Sequence, residues 1–370
     1  MDRELAGDRL FFQQNTRRFL ERESPLEAVR ALHPGGPGFD AGWWRKGAEL
    51  GWTSLLATES DGGGSLSDGP LADAVIVAEE GGRMVVPGPF LPVNVVIAAL
   101  TRAGSAEQRE RLLPGLLAGE TVAAWARAEP DDGLATRAEV DGDAVVLDGV
   151  KDVVEAGDAA EVFLVVARSV DGIAQVLVPR DAPGVTVEPC RSLDLVRRFA
   201  RVRFDGVRLP LDAVLGTPGG AEADVEHLLQ VALTLQTAES VGAMDRAFEF
   251  TFAYLGDRHA FGRPIGSYQA LKHRVADMLL VLESAKATAD GAARAVDAGD
   301  PEAGRLVRVA AAYVKDAAPR FVQECVQLLG GIGVTWEHDV HLYLRRVTVN
   351  RAVLGTPERL REQICVRLGV

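Results

Sequence analysis

The chain is poor in the features that mark secreted, zinc-binding and membrane-spanning proteins. It has only three cysteines in 370 residues and no CxxC pair, so neither a disulfide framework nor a zinc site is predicted. No uninterrupted apolar run approaches about 18 residues, and the N-terminus lacks the apolar segment of a signal peptide. We therefore expect a soluble, cytoplasmic protein that does not act at a membrane.

Positive charge is also scarce. The sequence has 40 Lys and Arg against 53 Asp and Glu, which gives a net charge of −13. Nucleic acids bind clustered Lys and Arg, so this composition argues against a nucleic-acid partner. Any phosphate-bearing ligand has to be held by a few local arginines. The length and the 47% of hydrophobic residues allow two or three domains with a substantial core.

The hydrophobic pattern divides the chain into three parts. In residues 1–120, apolar residues recur at three- and four-residue spacing, which predicts an N-terminal helical domain. Residues 121–213 are short β-branched runs between Asp-Gly and Pro-Gly turns, which predict a central domain of antiparallel strands, either a sandwich or a barrel. Residues 222–370 predict a C-terminal four-helix bundle. Its helices are expected at 223–255, 267–298, 301–329 and 336–366.

The segment DRHAFGRPIG forms a tight connection between the first two bundle helices. Arg258 and Arg263 carry planar, permanently charged guanidiniums that suit a pyrophosphate. Phe261 could pack against a ring system or simply fill the turn. Gln269 lies one helical turn before His273 and could bind a ligand across the turn. Taken alone, an Arg-rich turn between two helices is more often simply exposed to solvent.

The segment VQLLGGIG ends the third bundle helix. Paired glycines at Gly330 and Gly331 let a ligand approach the backbone and its N–H donors. The alternative is a glycine that ends the helix in the left-handed conformation, with no ligand.

These two segments, about 70 residues apart, resemble the R-x-x-FG…Q and Q-x-x-GG elements of the acyl-CoA dehydrogenases, and the resemblance covers essentially the whole chain. It implies that family's fold: N-terminal helices, a central β domain and a C-terminal four-helix bundle. It also implies FAD as cofactor, an acyl-CoA thioester as substrate, an electron-transfer partner, and a homo- or heteromeric dimer or tetramer. In the family these elements bind the ADP part of FAD, largely from a neighbouring subunit. By position, the implied FAD-binding residues are Arg258, Phe261, Gln269, Gln327, Gly330 and Gly331.

The part of the family's site that binds the isoalloxazine ring departs from the usual pattern. Glu129 and Pro130 are retained, but Ala128 stands where a threonine usually bonds the isoalloxazine. Val153 stands where a tryptophan commonly stacks on the flavin. We therefore expect weaker contacts to the isoalloxazine ring, without loss of the site.

The resemblance also locates the catalytic base, and here the sequence differs again. α,β-Dehydrogenation needs a carboxylate to take the α-proton while a hydride passes to the flavin. The two positions that the family uses for this carboxylate hold Leu354 and Ala232, and neither side chain accepts a proton. Glu239 lies seven residues beyond Ala232 on the same helical face. Burial is expected to raise its pKa, which makes it a candidate base. Alternatively, it is bonded within the bundle or to a partner chain.

The segment WEHDVHLYLRR has acidic and imidazole groups at metal-ligand spacing, but His338 and His341 supply only two imidazoles. A hydrogen-bonded helix start at a subunit interface, with no metal, is the preferred interpretation.

Three aromatic residues of the first bundle helix, Phe248, Phe250 and Phe252, occupy alternating positions and cannot all face one core. We therefore expect oligomerisation through the C-terminal bundle.

Three functions are compatible with this sequence. The first is one subunit of a heteromeric, FAD-dependent acyl-CoA dehydrogenase, with the catalytic base supplied by a partner. The second is a homomeric dehydrogenase that uses an atypical base such as Glu239. The third is a protein of the same fold with other chemistry, for instance a flavoprotein of natural-product biosynthesis, or a purely structural partner.

Overall fold

The computed structural model describes residues 7–32, 38–131 and 133–369, so the first residues of the N-terminal segment considered above lie outside it. The fold is mainly helical with a central sheet, as predicted.

Local signals explain several helix starts. Pro70 occupies the first turn of its helix, and the Ser105 hydroxyl accepts a hydrogen bond from the Gln108 amide in a capping box. The N-terminal helices are α1 (Asp8–Glu23), α2 (Leu26–Ala31), α3 (Ala41–Glu49), α4 (Pro70–Met84), α5 (Phe90–Ala103) and α6 (Ala106–Leu117).

The central part of the chain forms one sheet of eight strands. These are β1 (Ala123–Ala126), β2 (Arg137–Asp141), β3 (Ala144–Glu155), β4 (Val162–Ser169), β5 (Gly172–Pro179), β6 (Val185–Cys190), β7 (Phe199–Pro210) and β8 (Val214–Leu215). The strand order is β6-β7-β3-β2-β4-β5-β8, with β1 beside β4. The expectation of a purely antiparallel domain is wrong in one respect, because β1 and β2 both pair with β4 in parallel.

The C-terminal helices are α7 (Glu222–Asp257), α8 (Gln269–Asp297), α9 (Ala303–Leu329), α10 (Val340–Ala352) and α11 (Pro357–Leu368). The first four form the bundle, and α11 packs against α9. The single helix predicted over 336–366 is therefore wrong. Leu354 has a φ of 64° and Gly355 a φ of 102°, which ends α10, and Pro357 begins α11 behind the Thr356 cap.

Two hydrophobic cores hold these parts together. One runs from the N-terminal helices through the sheet to the first half of α7, and the other fills the bundle. Among the described residues, no helix is long and apolar enough to cross a bilayer.

Helices α4 and α7 cross in backbone contact. A methyl group on Gly82 would overlap the carbonyl oxygen of Glu239, and one on Gly242 would overlap the carbonyl oxygen of Glu79. Only glycine fits at both points, so the pair of glycines fixes the N-terminal domain against the middle of α7. This crossing lies directly beside the candidate base.

Candidate functional site

A short hairpin connects α7 to α8 and carries the first group of predicted FAD-binding residues. Its strands, β9 (His259–Ala260) and β10 (Arg263–Pro264), are antiparallel. Phe261 and Gly262 both have positive φ angles, 52° and 80°, as a two-residue turn of this kind requires. The turn presents the Phe261 ring to the outside with 97% of its surface exposed. Phe261 therefore does not fill the turn.

Neighbouring contacts hold this hairpin in place. The Ile265 amide donates to the Arg258 carbonyl at 2.8 Å, and the Tyr268 hydroxyl donates to the Ala260 carbonyl at 3.0 Å. The Arg263 guanidinium lies over the Tyr268 ring at 3.9 Å from its centroid. Arg258 is exposed, and within the described part of the chain its guanidinium has no hydrogen bond or ion pair. It is available for a ligand, whereas Arg263 already has a partner.

The second group of predicted FAD-binding residues lies where α9 ends. Gly330 has a φ of 65° and a ψ of −137°, a combination that glycine alone adopts readily. This is not the left-handed helix end that was the alternative at this position. A methyl group on Gly330 or Gly331 would meet nothing within 4 Å, so the backbone is open to an approaching group. Gln327, one turn earlier on α9, is exposed beside it.

The two groups lie at the same end of the bundle. Helices α7 and α9 both run towards this end, since α8 returns between them. All six predicted FAD-binding residues are exposed on the single chain. Exposed apolar side chains surround the glycine turn: Ile332, Val334 and Trp336 are 44%, 77% and 54% exposed. The geometry suits a ligand held between this end of the bundle and another surface.

The candidate base lies elsewhere. Glu239 is 19 residues before Arg258 on α7, about 28 Å along the helix. Its Oε2 accepts hydrogen bonds from Arg197 Nη1 and Asn350 Nδ2, both at 2.8 Å, and its Oε1 accepts one from Arg346 Nη1 at 2.6 Å. Both carboxylate oxygens are therefore occupied, as the alternative of a glutamate bonded within the fold requires.

The electrostatics of Glu239 differ from the sequence-based expectation. Burial alone would raise the pKa of the Glu239 carboxyl, but the Arg197 and Arg346 guanidiniums outweigh burial and hold that pKa below its usual value. The expectation of a raised pKa is wrong. A general base at Glu239 stays a prediction, and these contacts disfavour it.

Sequence reasoning missed the other members of this cluster. Arg197 makes a bidentate pair with Glu155, with Nε–Oε1 and Nη2–Oε2 distances of 2.8 and 2.9 Å. Arg346 also pairs with Asp194, and both of these side chains are buried. Burial raises the pKa of Glu155, although the Arg197 charge opposes this. The cluster joins the β domain, through Glu155, Asp194 and Arg197, to the bundle, through Glu239, Arg346 and Asn350.

One face of this cluster borders a cavity of about 40 Å³. The walls are largely apolar and include Trp43, Trp44 and Trp52, together with Leu235 of α7. The polar end consists of Glu155, Arg197 and Glu239. The structure therefore combines an apolar enclosure with a charged end beside the middle of α7.

The structure also shows the surroundings of the residues that the resemblance assigns to the family's two base positions and to its isoalloxazine site. Ala232 is fully buried in α7, and Leu354 is partly buried in the break between α10 and α11. Ala128 is exposed after β1, and Val153 is 43% exposed in β3 with a φ of 52°. None of these side chains supplies a proton acceptor or a flavin hydrogen bond.

Glu129, which the chain retains from the family pattern, forms a buried ion pair. Its Oε1 lies 2.6 Å from Lys151 Nζ, and its carboxylate accepts hydrogen bonds from the Ala135 and Thr136 amides at 2.6 and 3.0 Å. The Lys151 side chain is completely buried. This pair fixes the loop after β1 to β3.

Stability should depend on pH through Lys151. Burial lowers the pKa of this lysine from 10.5 to about 8, although the Glu129 carboxylate opposes the shift. Between pH 8 and 10.5 the unfolded chain keeps a proton that the folded chain has lost, so Lys151 makes the free energy of unfolding rise with pH in this window. Urea unfolding at several pH values should show this rise in the wild type and a smaller one in Lys151→Met. Equal pH dependence of the two proteins would contradict the assignment.

Comparisons with known proteins agree with this geometry. The family model of the acyl-CoA dehydrogenase N-terminal domain matches residues 8–120, and that of the C-terminal domain matches residues 220–369. The acyl-CoA dehydrogenase IpdE2 of Mycolicibacterium smegmatis is 31% identical over 363 residues, which are 97% of each chain.

Solved structures give the same result. A chain of the ChsE4-ChsE5 complex from Mycobacterium tuberculosis superposes with a TM-score of 0.90 at 27% identity, covering 100% of this chain and 99% of that one. A glutaryl-CoA dehydrogenase from Mycobacterium smegmatis in complex with FADH2 superposes with a TM-score of 0.88 at 25% identity, covering 100% and 96%. This chain therefore belongs to the acyl-CoA dehydrogenase family of flavoprotein oxidoreductases, which act on CH–CH bonds.

Proposed function

We propose that this chain is one subunit of a heteromeric, FAD-dependent acyl-CoA dehydrogenase. It contributes the residues that hold the ADP part of FAD, and a partner chain contributes the catalytic base. When bound, the flavin accepts a hydride from the β-carbon of the acyl group. The substrate is an acyl-CoA thioester, and an electron-transfer protein reoxidises the enzyme.

The observation that carries this proposal is the contrast between the two halves of the site. Arg258 and the Gly330–Gly331 turn are exposed at one end of the bundle, where open backbone and an unpaired guanidinium suit a pyrophosphate. The two family base positions hold Leu354 and Ala232, which accept no proton. A chain with this combination can bind the cofactor's ADP part but needs a carboxylate from elsewhere.

Assembly with another chain is supported by the exposed apolar surface of the bundle. Phe252 is 60% exposed, while Phe248 and Phe250 pack partly against the bundle core, so the three aromatic side chains divide between inside and outside. The α8 helix adds Leu279 and Leu280, which are 45% and 68% exposed. Apolar surface of this kind usually belongs to an interface. A structural relative solved as a two-protein complex, ChsE4-ChsE5, is a precedent for heteromeric assembly.

A homomeric dehydrogenase with Glu239 as its base is the second candidate. One observation favours it: Glu239 lines the apolar cavity beside the α7 helix that also carries Ala232. The pairing of Glu239 with Arg197 and Arg346 counts against it, because a carboxylate so stabilised is a weak base.

Arg258→Ala should weaken FAD binding. The variant loses a charge-assisted hydrogen bond worth about 1.5–3 kcal/mol, so the dissociation constant should rise by about 10- to 150-fold. Titration of the apoprotein with FAD, alone and with candidate partner chains, measures this effect. Arg263→Ala is the matched control, since the Arg263 side chain already lies on Tyr268. Its effect should be smaller.

Two results would contradict this proposal. One is a wild-type protein that takes up no flavin, either alone or with candidate partners. The other is a chain that remains a stable, well-folded monomer in sedimentation at micromolar concentration, both alone and mixed with candidate partners, which would remove the site shared between chains.

A further inference from the structure

A guanidinium without a counter-charge lies at the end of β1. Arg127 directly follows the strand and is partly exposed, so a ligand can reach it from solvent. Within the described part of the chain its guanidinium has no hydrogen bond or ion pair. An arginine side chain stays protonated in proteins, and a partly buried charge without a partner is unfavourable. The fold therefore keeps a positive charge here that its own residues do not compensate.

The ring of Trp125 packs against this guanidinium. Trp125 and Arg127 are two residues apart, the spacing that puts side chains on one face of a strand. The Arg127 Cζ atom lies 5.9 Å from the centroid of the indole, which is a cation–π contact. Trp125 is 7% exposed, and its Nε1 finds no acceptor among the described residues. The two side chains thus bring hydrogen-bond donors to one face, and neither has an acceptor there.

The neighbouring carboxylates already pair with other cations. Glu129, two residues further along the chain, binds Lys151 Nζ at 2.6 Å. Glu226 of α7 accepts hydrogen bonds from Arg308 at 2.7 and 2.8 Å and from Arg367 at 2.7 Å. Arg308 and Arg367 therefore share a single carboxylate, which leaves this group of side chains with an excess of positive charge.

The electrostatics of Arg127 reflect this excess. Burial lowers the pKa of Arg127, and the guanidiniums of Arg359 and Arg308 lower it further. Glu226 acts in the opposite direction without outweighing them. Arg127 thus lies among cations from α9 and α11 and has no carboxylate of its own in the described part of the chain. Such a group of donors suits an anion.

We propose that Arg127 binds a phosphate group of a ligand at the end of β1. The planar guanidinium can donate to two phosphate oxygens at once, and a phosphate ester carries up to two negative charges, which matches the excess of positive charge. This site differs from the one proposed for the ADP part of FAD. Arg127 lies near Glu226 at the start of the 36-residue helix α7, whereas Arg258 follows the last residue of that helix. The length of α7 separates the two arginines by about 50 Å.

Inorganic pyrophosphate tests this site without flavin or turnover. Arg258→Ala serves as the parent protein, since Arg258 is also free to bind the probe. At constant ionic strength, pyrophosphate should raise the melting temperature of the parent, because a ligand that binds the folded state stabilises it. Adding Arg127→Met keeps the aliphatic stem and removes the guanidinium. The dissociation constant derived from the shifts should then rise about 10- to 150-fold, through loss of one charge-assisted contact.

Arg208→Met in the same parent is the matched control. Arg208 lies on β7, is exposed and pairs with Asp141 at 2.6 Å. Its loss changes the net charge equally and should leave pyrophosphate binding unchanged. Arg127→Met should unfold at no lower urea concentration than its parent, because it removes a charge without a partner. A lower midpoint with unchanged pyrophosphate binding would assign Arg127 to packing against Trp125 and overturn the inference.

Two pairs of ligands identify the source of the phosphate. The inference rests on the proposed function at this point only, because that function names FAD and coenzyme A as the phosphate-bearing ligands. Calorimetric titrations compare FAD with riboflavin, and coenzyme A with pantetheine. Arg127→Met should weaken binding of the phosphate-bearing member of one pair and leave its phosphate-free counterpart unchanged.

Three results would overturn the inference. They are a parent that pyrophosphate does not stabilise, equal pyrophosphate binding with and without Arg127, and equal binding of both FAD and coenzyme A with and without Arg127. Absence of flavin uptake would instead contradict the proposed function, since the pyrophosphate and coenzyme A measurements do not depend on flavin.

Discussion

Purified alone, this chain is expected to dehydrogenate simple acyl-CoA thioesters about 10²–10⁴-fold more slowly than a family member that has its glutamate. The reason is chemical. The resemblance assigns Leu354 and Ala232 to both positions from which the family takes the α-proton, and Glu239 is held as a carboxylate by two guanidiniums. Initial rates with an artificial electron acceptor, measured on the chain with and without its partner, test this directly.

A variant that restores the carboxylate provides the matched control. Leu354→Glu is better suited than Ala232→Glu, because Leu354 is only partly buried and Ala232 is fully buried. The restored glutamate should recover part of the missing rate. Robust turnover by the unmodified homomer would overturn the prediction. Glu239 would then become the leading candidate for the base, and its conversion to Gln would test that role.

Arg346→Met should lower the free energy of unfolding by about 3–5 kcal/mol. Arg346 is buried and pairs with both Asp194 and Glu239, so its removal leaves two buried carboxylates with less compensation. Methionine fills a similar volume, which limits the packing loss. Urea unfolding followed by circular dichroism would measure the change.

Arg345→Met is the control for this variant. Arg345 is the next residue on α10, is partly exposed, and donates one hydrogen bond to the Leu193 carbonyl at 3.0 Å. Its replacement should cost no more than about 1 kcal/mol. A similar loss in the two variants would show that the cluster contributes no more than a surface contact.

The helices of the bundle were predictable because their apolar residues repeat at helical spacing over long stretches. The prediction of one helix over 336–366 failed where two signals competed. Gly355, Thr356 and Pro357 form a stop followed by a start, but the apolar repeat continues on both sides of them. The repeat dominated the prediction, although the local residues decided the structure.

The cluster around Glu239 could not be predicted from the sequence. Arg346 is 152 residues from Asp194 and 107 residues from Glu239, and no local pattern links such distant positions. The sequence indicated that Glu239 would be buried, because its neighbours are small and apolar. It gave no sign of the two guanidiniums, which reverse the effect of burial on the pKa of Glu239. Burial can be inferred locally, whereas compensation of charge depends on the tertiary fold.

The crossing of α4 and α7 restricts how a ligand could reach the cavity. Because Gly82 and Gly242 hold the two helices in backbone contact, sliding one along the other would bring bulkier side chains into the crossing. The two helices can tilt about this contact, but they cannot slide along each other. The connection from α4 to α5 continues from this crossing, and its residues Val86, Pro87 and Gly88 line the cavity. Arg346 holds this connection as well, because its Nη2 donates to the Val86 carbonyl at 3.1 Å. The helix crossing and the charged cluster therefore fix the same wall of the cavity.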